Sequence, residues 1–208
     1  MAAPKGRLLL FWSIVIVGCA VDLATKSWIF ARLGMPSRDP DREVIWVVRP
    51  VFSLTTSLNE GALFGLGQGW TFLFAGLSVV AAVGIVYWLC VAGGTADLRL
   101  TLALGCILAG IFGNLYDRLG FPGLIWHEPP RVGAPVYAVR DWLHFKWRFI
   151  DWPVFNIADS LLVCGAALIF VCVFWPPVDS ASSLASQPIS ALGDSATRGS
   201  AGGAEVDN

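Results

Sequence analysis

Five aspartates, Asp22, Asp117, Asp141, Asp151 and Asp159, stand in or beside strongly apolar stretches of the chain. Two carboxyl groups held close together in a partly desolvated site cannot both ionise easily. One keeps a proton while the other serves as a base, and water between them becomes able to attack an amide carbonyl. Each aspartate also has a structural reading. Asp22 and Lys26 are four residues apart on one helix face, where they neutralise each other. Asp117 adjoins Arg118 and suggests an ion pair, and Asp151 sits beside Trp152 in a loop where solvent can satisfy it. Asp141, flanked by Arg140, and Asp159 lack a cationic partner of their own, which leaves them the best pair for acid and base work.

Other catalytic schemes fare worse. The stretch "HEPPR" at His127 is not H-E-x-x-H, and Pro129 and Pro130 forbid the helix that motif needs. His144 is the other of two histidines, so a zinc peptidase has too few ligands. "GLSVV" is not a G-x-S-x-G elbow. Lys26 and Ser27 are helix neighbours that point about 100° apart, which disfavours a dyad. The five cysteines, Cys19, Cys90, Cys106, Cys164 and Cys172, lie inside apolar runs as small hydrophobes, without a disulfide or zinc spacing.

The elements that must position these acids are membrane spans. Of 208 residues, 56% are hydrophobic and 14% charged, which marks a membrane protein of one domain. The net charge of −1 and the scattered Lys and Arg residues give no support to nucleic-acid binding. Hydropathy places four spans at about 8–30, 70–92, 98–118 and 154–175. A span needs about 20 residues. The first, third and fourth apolar runs reach that length only by taking in "DLATK", "GNLYDR" and "FNIADS". An ionisable group at a span centre costs about 2.5–3.5 kcal/mol and less near the interface, so such residues imply a function or a partner.

Parity brings these polar ends together. Four consecutive spans alternate in direction, so the ends at Asp22, Asp117 and Asp159 fall on the same side of the membrane. Asn59 in "SLNEGALFG" and both long loops, about 31–69 and 120–153, fall there too. One polar pocket near one leaflet, roofed by two loops, follows. "VIWVV" and "VFSLTTSL" alternate with period two, with Phe52, Leu54, Thr56 and Leu58 on one face, and predict two strands of a small sheet. "FPGLIWHEPPRVGAPVYA", at 121–138, predicts an irregular insertion. Trp28, Trp70, Trp142, Trp147, Trp152 and Trp175 are placed at the membrane interface. Residues 177–208, rich in Ser, Ala and Gly, predict a disordered tail. Counted by Lys and Arg, the positive-inside rule favours termini outside.

The ordered blocks resemble those of lipoprotein signal peptidase, or signal peptidase II, a family of bacterial intramembrane aspartyl peptidases. They are "DLATK", "NEGALFG", "GNLYDR", "VRDW" and "FNIADS", and the resemblance covers about 8–176. It implies a four-helix membrane protein with a small β-sheet and a loop insertion on the extracytoplasmic side, in the bacterial inner membrane. Both termini would be cytoplasmic and the site would lie near the outer leaflet, against the charge count. The implied catalytic pair is Asp141 and Asp159. Asp22, Lys26, Asn59, Gly61, Asn114, Asp117, Arg118, Asn156 and Ala158 would bind substrate or support the dyad. Arg140 stands where the family has an apolar residue, and the insertion is longer than the family's. The implied reaction hydrolyses the bond before a diacylglyceryl-modified cysteine of a prolipoprotein, with no cofactor or metal, by a monomer in contact with membrane lipid. Two alternatives stand beside it. An ion-translocating protein could use the same acids as a relay, moving charge without cleavage. "KGRLLLFWSIVIVGC" also imitates a lipoprotein signal ending at Cys19, although "AVDLATKSWIF" is needed to complete the first span.

Overall fold

The computed structural model describes residues 5–37, 44–61, 67–91 and 97–174. The expected tail at 177–208 and Trp175 lie outside the described residues. In chain order the elements are α1 (Lys5–Leu33), β1 (Ile45–Val48), β2 (Phe52–Asn59), α2 (Thr71–Val91), α3 (Leu98–Arg118), β3 (Val139–Trp147), β4 (Ile150–Asp151) and α4 (Ile157–Phe174). The chain separates into Met1–Phe170, which carries every contact described below, and Val171–Asn208, of which only the end of α4 is described. All four helices are long and apolar enough to cross a membrane. The helix α3 is the central one, because 56% of its most apolar window is buried against 17% in α1 and in α2 and 11% in α4.

Lipid is as apolar as leucine, so helices in a bilayer associate through close packing rather than hydrophobic burial. Small residues make that packing available. A Cβ at Gly110 of α3 would stand 2.5 Å from the Ala158 carbonyl oxygen of α4. The backbones therefore approach more closely there than any larger residue permits. Between α1, α2 and α3, Phe11, Val15, Leu89, Leu104 and Leu108 form an apolar cluster.

At 29 residues α1 is about 43 Å long at 1.5 Å per residue, which exceeds the roughly 30 Å of hydrocarbon. Ile29 and Phe30 near its end pack with Leu54, Trp142 and Leu143 of the strands. This second core fixes the sheet to the end of α1 and stabilises it by about 1.5–3 kcal/mol per fully buried large apolar side chain.

The sheet is antiparallel in the order β1-β2-β3-β4. Its first two strands match the sequence reading. The register between β2 and β3 pairs Leu54 with Leu143 and Ser57 with Asp141, and it shifts between those pairs. The shift interrupts the alternation expected for Phe52, Leu54, Thr56 and Leu58, and Thr55 and Thr56 are both buried. The strand β3 corrects the sequence reading, in which Asp141 lay in a loop. Trp142 also departs from the expected interfacial position, being 7% exposed within the second core. The insertion is irregular as anticipated, with one isolated bridge, Ile125 to Pro135.

Candidate active site

The site grows from the first turn of α4. An α-helix leaves its first N–H groups without partners. Asn156, just before the helix, accepts the Asp159 backbone N–H through Oδ1 at 2.9 Å. Asp159 in turn accepts the Asn156 backbone N–H through Oδ2 at 3.3 Å. This reciprocal arrangement is a capping box. A further orphan donor, the Ala158 N–H, is taken by Asp22 Oδ1 of α1 at 2.9 Å. Gly113 of α3 makes room for that carboxylate, since a Cβ there would collide with Asp22 Oδ2.

Behind the cap lies a buried ionic cluster. An ammonium has three N–H groups, and three oxygens surround Lys26 Nζ: Asp22 Oδ2 at 2.7 Å, Asn114 Oδ1 at 2.9 Å and Asp117 Oδ2 at 3.1 Å. The Asp22–Lys26 pairing agrees with the sequence reading but is only part of the network. Asp117 pairs with Lys26 and with Arg140, not with its neighbour Arg118. Arg140 donates to it from Nε at 2.9 Å and from its backbone N–H at 3.0 Å. Arg118 donates instead to the Gly61 carbonyl at 2.9 Å.

Because Lys26 can only donate, Asn114 must present its oxygen to it, which turns the Asn114 Nδ2 group toward Asp159. That donor meets Asp159 Oδ1 at 2.8 Å. Asn156 Nδ2 donates to Asn114 Oδ1 at 3.2 Å and to Asp141 Oδ1 at 2.6 Å. Successive side chains of a strand point to opposite faces. Arg140 therefore reaches Asp117 on one face of β3 while Asp141 reaches Asn156 on the other. Asn59 also hydrogen-bonds to Asp141, and its Oδ1 accepts the Gly61 N–H at 2.9 Å.

Asp141 and Asp159 thus share Asn156 as a partner, and neither forms an ion pair among the described residues. Asp141 is 2% exposed. Burial, and then the charge of Asp159, push its carboxyl from the ordinary 3.8 up to about 8. Asp159 lies partly buried beside it, so near neutral pH the two carboxyls cannot both ionise easily and the pair retains a proton. Asp151, in contrast, lies on the exposed β4, bonded to Lys146 at 2.9 Å and His144 at 2.7 Å. Lys146 and His144 hold its carboxyl below the usual range.

Two cavities meet at Asn59 and Asp159. One of about 420 Å³ runs between Phe145 of β3, Ile150 of β4 and the following Trp152 on one side and Val163 and Cys164 of α4 on the other. The other, of about 270 Å³, reaches between Phe74, Asn114, Arg118 and Leu162. All eleven residues singled out from sequence, Asp22, Lys26, Asn59, Gly61, Asn114, Asp117, Arg118, Asp141, Asn156, Ala158 and Asp159, belong to one bonded network, which reaches the cavities at Asn59, Asn114, Arg118 and Asp159. The partnership of Arg140 with Asp117 was missed, because it depends on the strand that turns Arg140 and Asp141 to opposite faces, and that strand was not read from the sequence.

A family model described as Signal peptidase (SPase) II matches residues 14–175. The lipoprotein signal peptidase of Rhodopirellula baltica is 44% identical over 173 residues, covering 82% of this chain and 74% of its own. That of Rhodococcus jostii is 36% identical over 165 residues, covering 79% and 72%. A solved bacterial membrane enzyme shares the fold with a TM-score of 0.63 at 22% identity, covering 83% of this chain and 90% of that one. On the family model and these identities, the chain is a multi-pass membrane protein belonging to the signal peptidase II family of bacterial proteases.

Proposed function

We propose that the chain is an aspartyl endopeptidase that removes signal peptides from prolipoproteins, cutting the bond before a diacylglyceryl-modified cysteine. The observation that carries this reading is Asn156, whose side chain bonds to Asp141 at 2.6 Å and whose backbone N–H bonds to Asp159 at 3.3 Å, so that one residue ties the two carboxyl groups together where Asp159 lines both cavities. A water between them attacks the scissile carbonyl. Asp159 takes the water proton as general base, and Asp141 gives its proton to the carbonyl oxygen, forming a gem-diol. Collapse of that intermediate breaks the C–N bond, with a proton passing to the leaving amine. No covalent enzyme intermediate is formed, and the chemistry needs no cofactor.

Asn114 and Asn156 orient the dyad, and Asp22 and Lys26 fix the start of α4 on which Asp159 sits. Arg118, through Gly61, and Asn59 shape the substrate cavities. The apolar wall formed by Val163 and Cys164 suits a substrate that arrives from the bilayer with its lipid attached. The site faces the outer leaflet of the inner membrane and both termini are cytoplasmic, with the protein acting as a monomer. The test is cleavage of a diacylglyceryl-modified precursor by purified protein. Asp141→Asn and Asp159→Asn should each fold and fail to cleave. Substantial cleavage by either variant excludes the assignment.

A further inference from the structure

The connection from α3 to β3 plays no part in the chemistry above, yet it is folded firmly back on itself. Trp126 N donates to Ala134 O at 2.9 Å, Gly133 N to Trp126 O at 2.8 Å, and Val136 N to Leu124 O at 2.9 Å. Its tip presents Arg131, whose guanidinium lies 3.8 Å from the centre of the Trp126 ring. Arg131 Nη1 is 2.5 Å from Glu60 Oε1. Glu60 stands between two residues of the site. Asn59 bonds to Asp141 on one side, and the Gly61 carbonyl receives Arg118 on the other. The Glu60 carbonyl itself accepts the Thr71 hydroxyl at 3.0 Å, at the start of α2. Beside it Tyr137, at the end of the connection, packs on Phe72 with ring centres 5.2 Å apart.

We infer that the Arg131–Glu60 pair braces the Asn59–Gly61 stretch over the reaction centre, which makes Arg131 a positioning residue for substrate binding. The inference rests on the proposed function. Stacking on Trp126 holds the guanidinium in place before it meets Glu60, so less side-chain freedom is lost in forming the pair. Asn59 borders both cavities, so loosening this stretch changes where substrate lies more than how protons move. The pair is partly exposed, at 46% for Arg131 and 22% for Glu60, which limits it to a modest effect that salt can screen.

The test measures KM and kcat of the full chain on a diacylglyceryl-modified precursor, with Asp141→Asn in parallel. Arg131→Ala is expected to raise KM by about threefold to fivefold, with kcat within about twofold and an unchanged unfolding temperature, in keeping with an exposed pair. Glu60→Ala should match it, and the double change should be no worse than either single one. The swap Glu60→Arg with Arg131→Glu should recover at least half of the loss in KM. Raising salt should bring the wild-type KM toward that of Arg131→Ala and leave the variant unmoved. A wild-type KM in Arg131→Ala, or a swap as impaired as the single variants, overturns the brace while an inactive Asp141→Asn leaves the dyad standing. Normal cleavage by Asp141→Asn overturns both.

Discussion

Asn156 and Asp159 cap one another at the start of α4, each accepting the other's backbone N–H, at 2.9 and 3.3 Å. The same two side chains carry the bonds that define the site. The helix start and the geometry of the proposed dyad therefore draw on one pair of residues, three apart in sequence. An N-terminal cap contributes about 1 kcal/mol, and it acts beside the bond from the Ala158 N–H to Asp22 of α1.

The two duties of Asn156 can be separated by substitution. Asn156→Ser keeps a side-chain oxygen for the Asp159 N–H but has no amide to reach Asp141 and Asn114. It is expected to unfold at nearly the wild-type temperature and to lose at least about tenfold in kcat, the scale of a misoriented acid–base group. Asn156→Ala should lose the cap as well, costing about 0.5–2 kcal/mol of stability. Thermal unfolding and cleavage kinetics on the same preparations check both.

Lys26 is fully buried among Asp22, Asn114 and Asp117. Replacing it by Met leaves two buried carboxylates short of a cation, and breaking a buried pair in this way costs about 3–5 kcal/mol. Lys26→Met should therefore show a clearly lowered unfolding temperature in detergent. An unchanged temperature would show that the cluster contributes nothing to holding α1, α3 and α4 together.

The Asp141 carboxyl, raised from 3.8 to about 8 by burial and by Asp159, fixes a direction for pH dependence. On the proposed mechanism its proton is the one donated to the scissile carbonyl, so kcat/KM should fall as pH rises through about 8. Stability follows the same sign. The folded state keeps this proton where the unfolded chain, with an Asp near 3.9, has lost it. The contribution is complete below about pH 4 and disappears as pH climbs through about 8. Asp141→Asn should lack that part of the slope, which unfolding temperatures measured from pH 5 to 9 will reveal.

The spans and the gathering of polar ends were legible because charge inside an apolar run is costly and parity is a matter of counting. Asp22, Asn114 and Asp159 could be placed on one leaflet on that ground alone. The strand β3 was not legible. Its alternation begins directly after a stretch of Pro and Gly, and its partners in β2 lie 80 to 93 residues earlier, from Asn59–Val139 to Phe52–Phe145, so no local signal announces the pairing. Asp117 was assigned to Arg118 by adjacency. Neighbours on a helix diverge by about 100°, and the true partners come from α1 and from β3. Trp142 looked interfacial because indoles often are. Only the register of β3 shows that this one turns into the core beneath the sheet.

Whether Asp141 and Asp159 work as a unit is settled most directly by the cleavage rate of the double variant Asp141→Asn, Asp159→Asn beside the two single ones. General acid–base catalysis is worth about 10²–10⁴-fold, and groups that act together lose their effect together. Each single change should abolish that advantage, and the double should be no slower than the slower single. Losses that multiply in the double variant, or a single variant that still cleaves at the wild-type rate, would contradict a shared water between these two carboxyl groups.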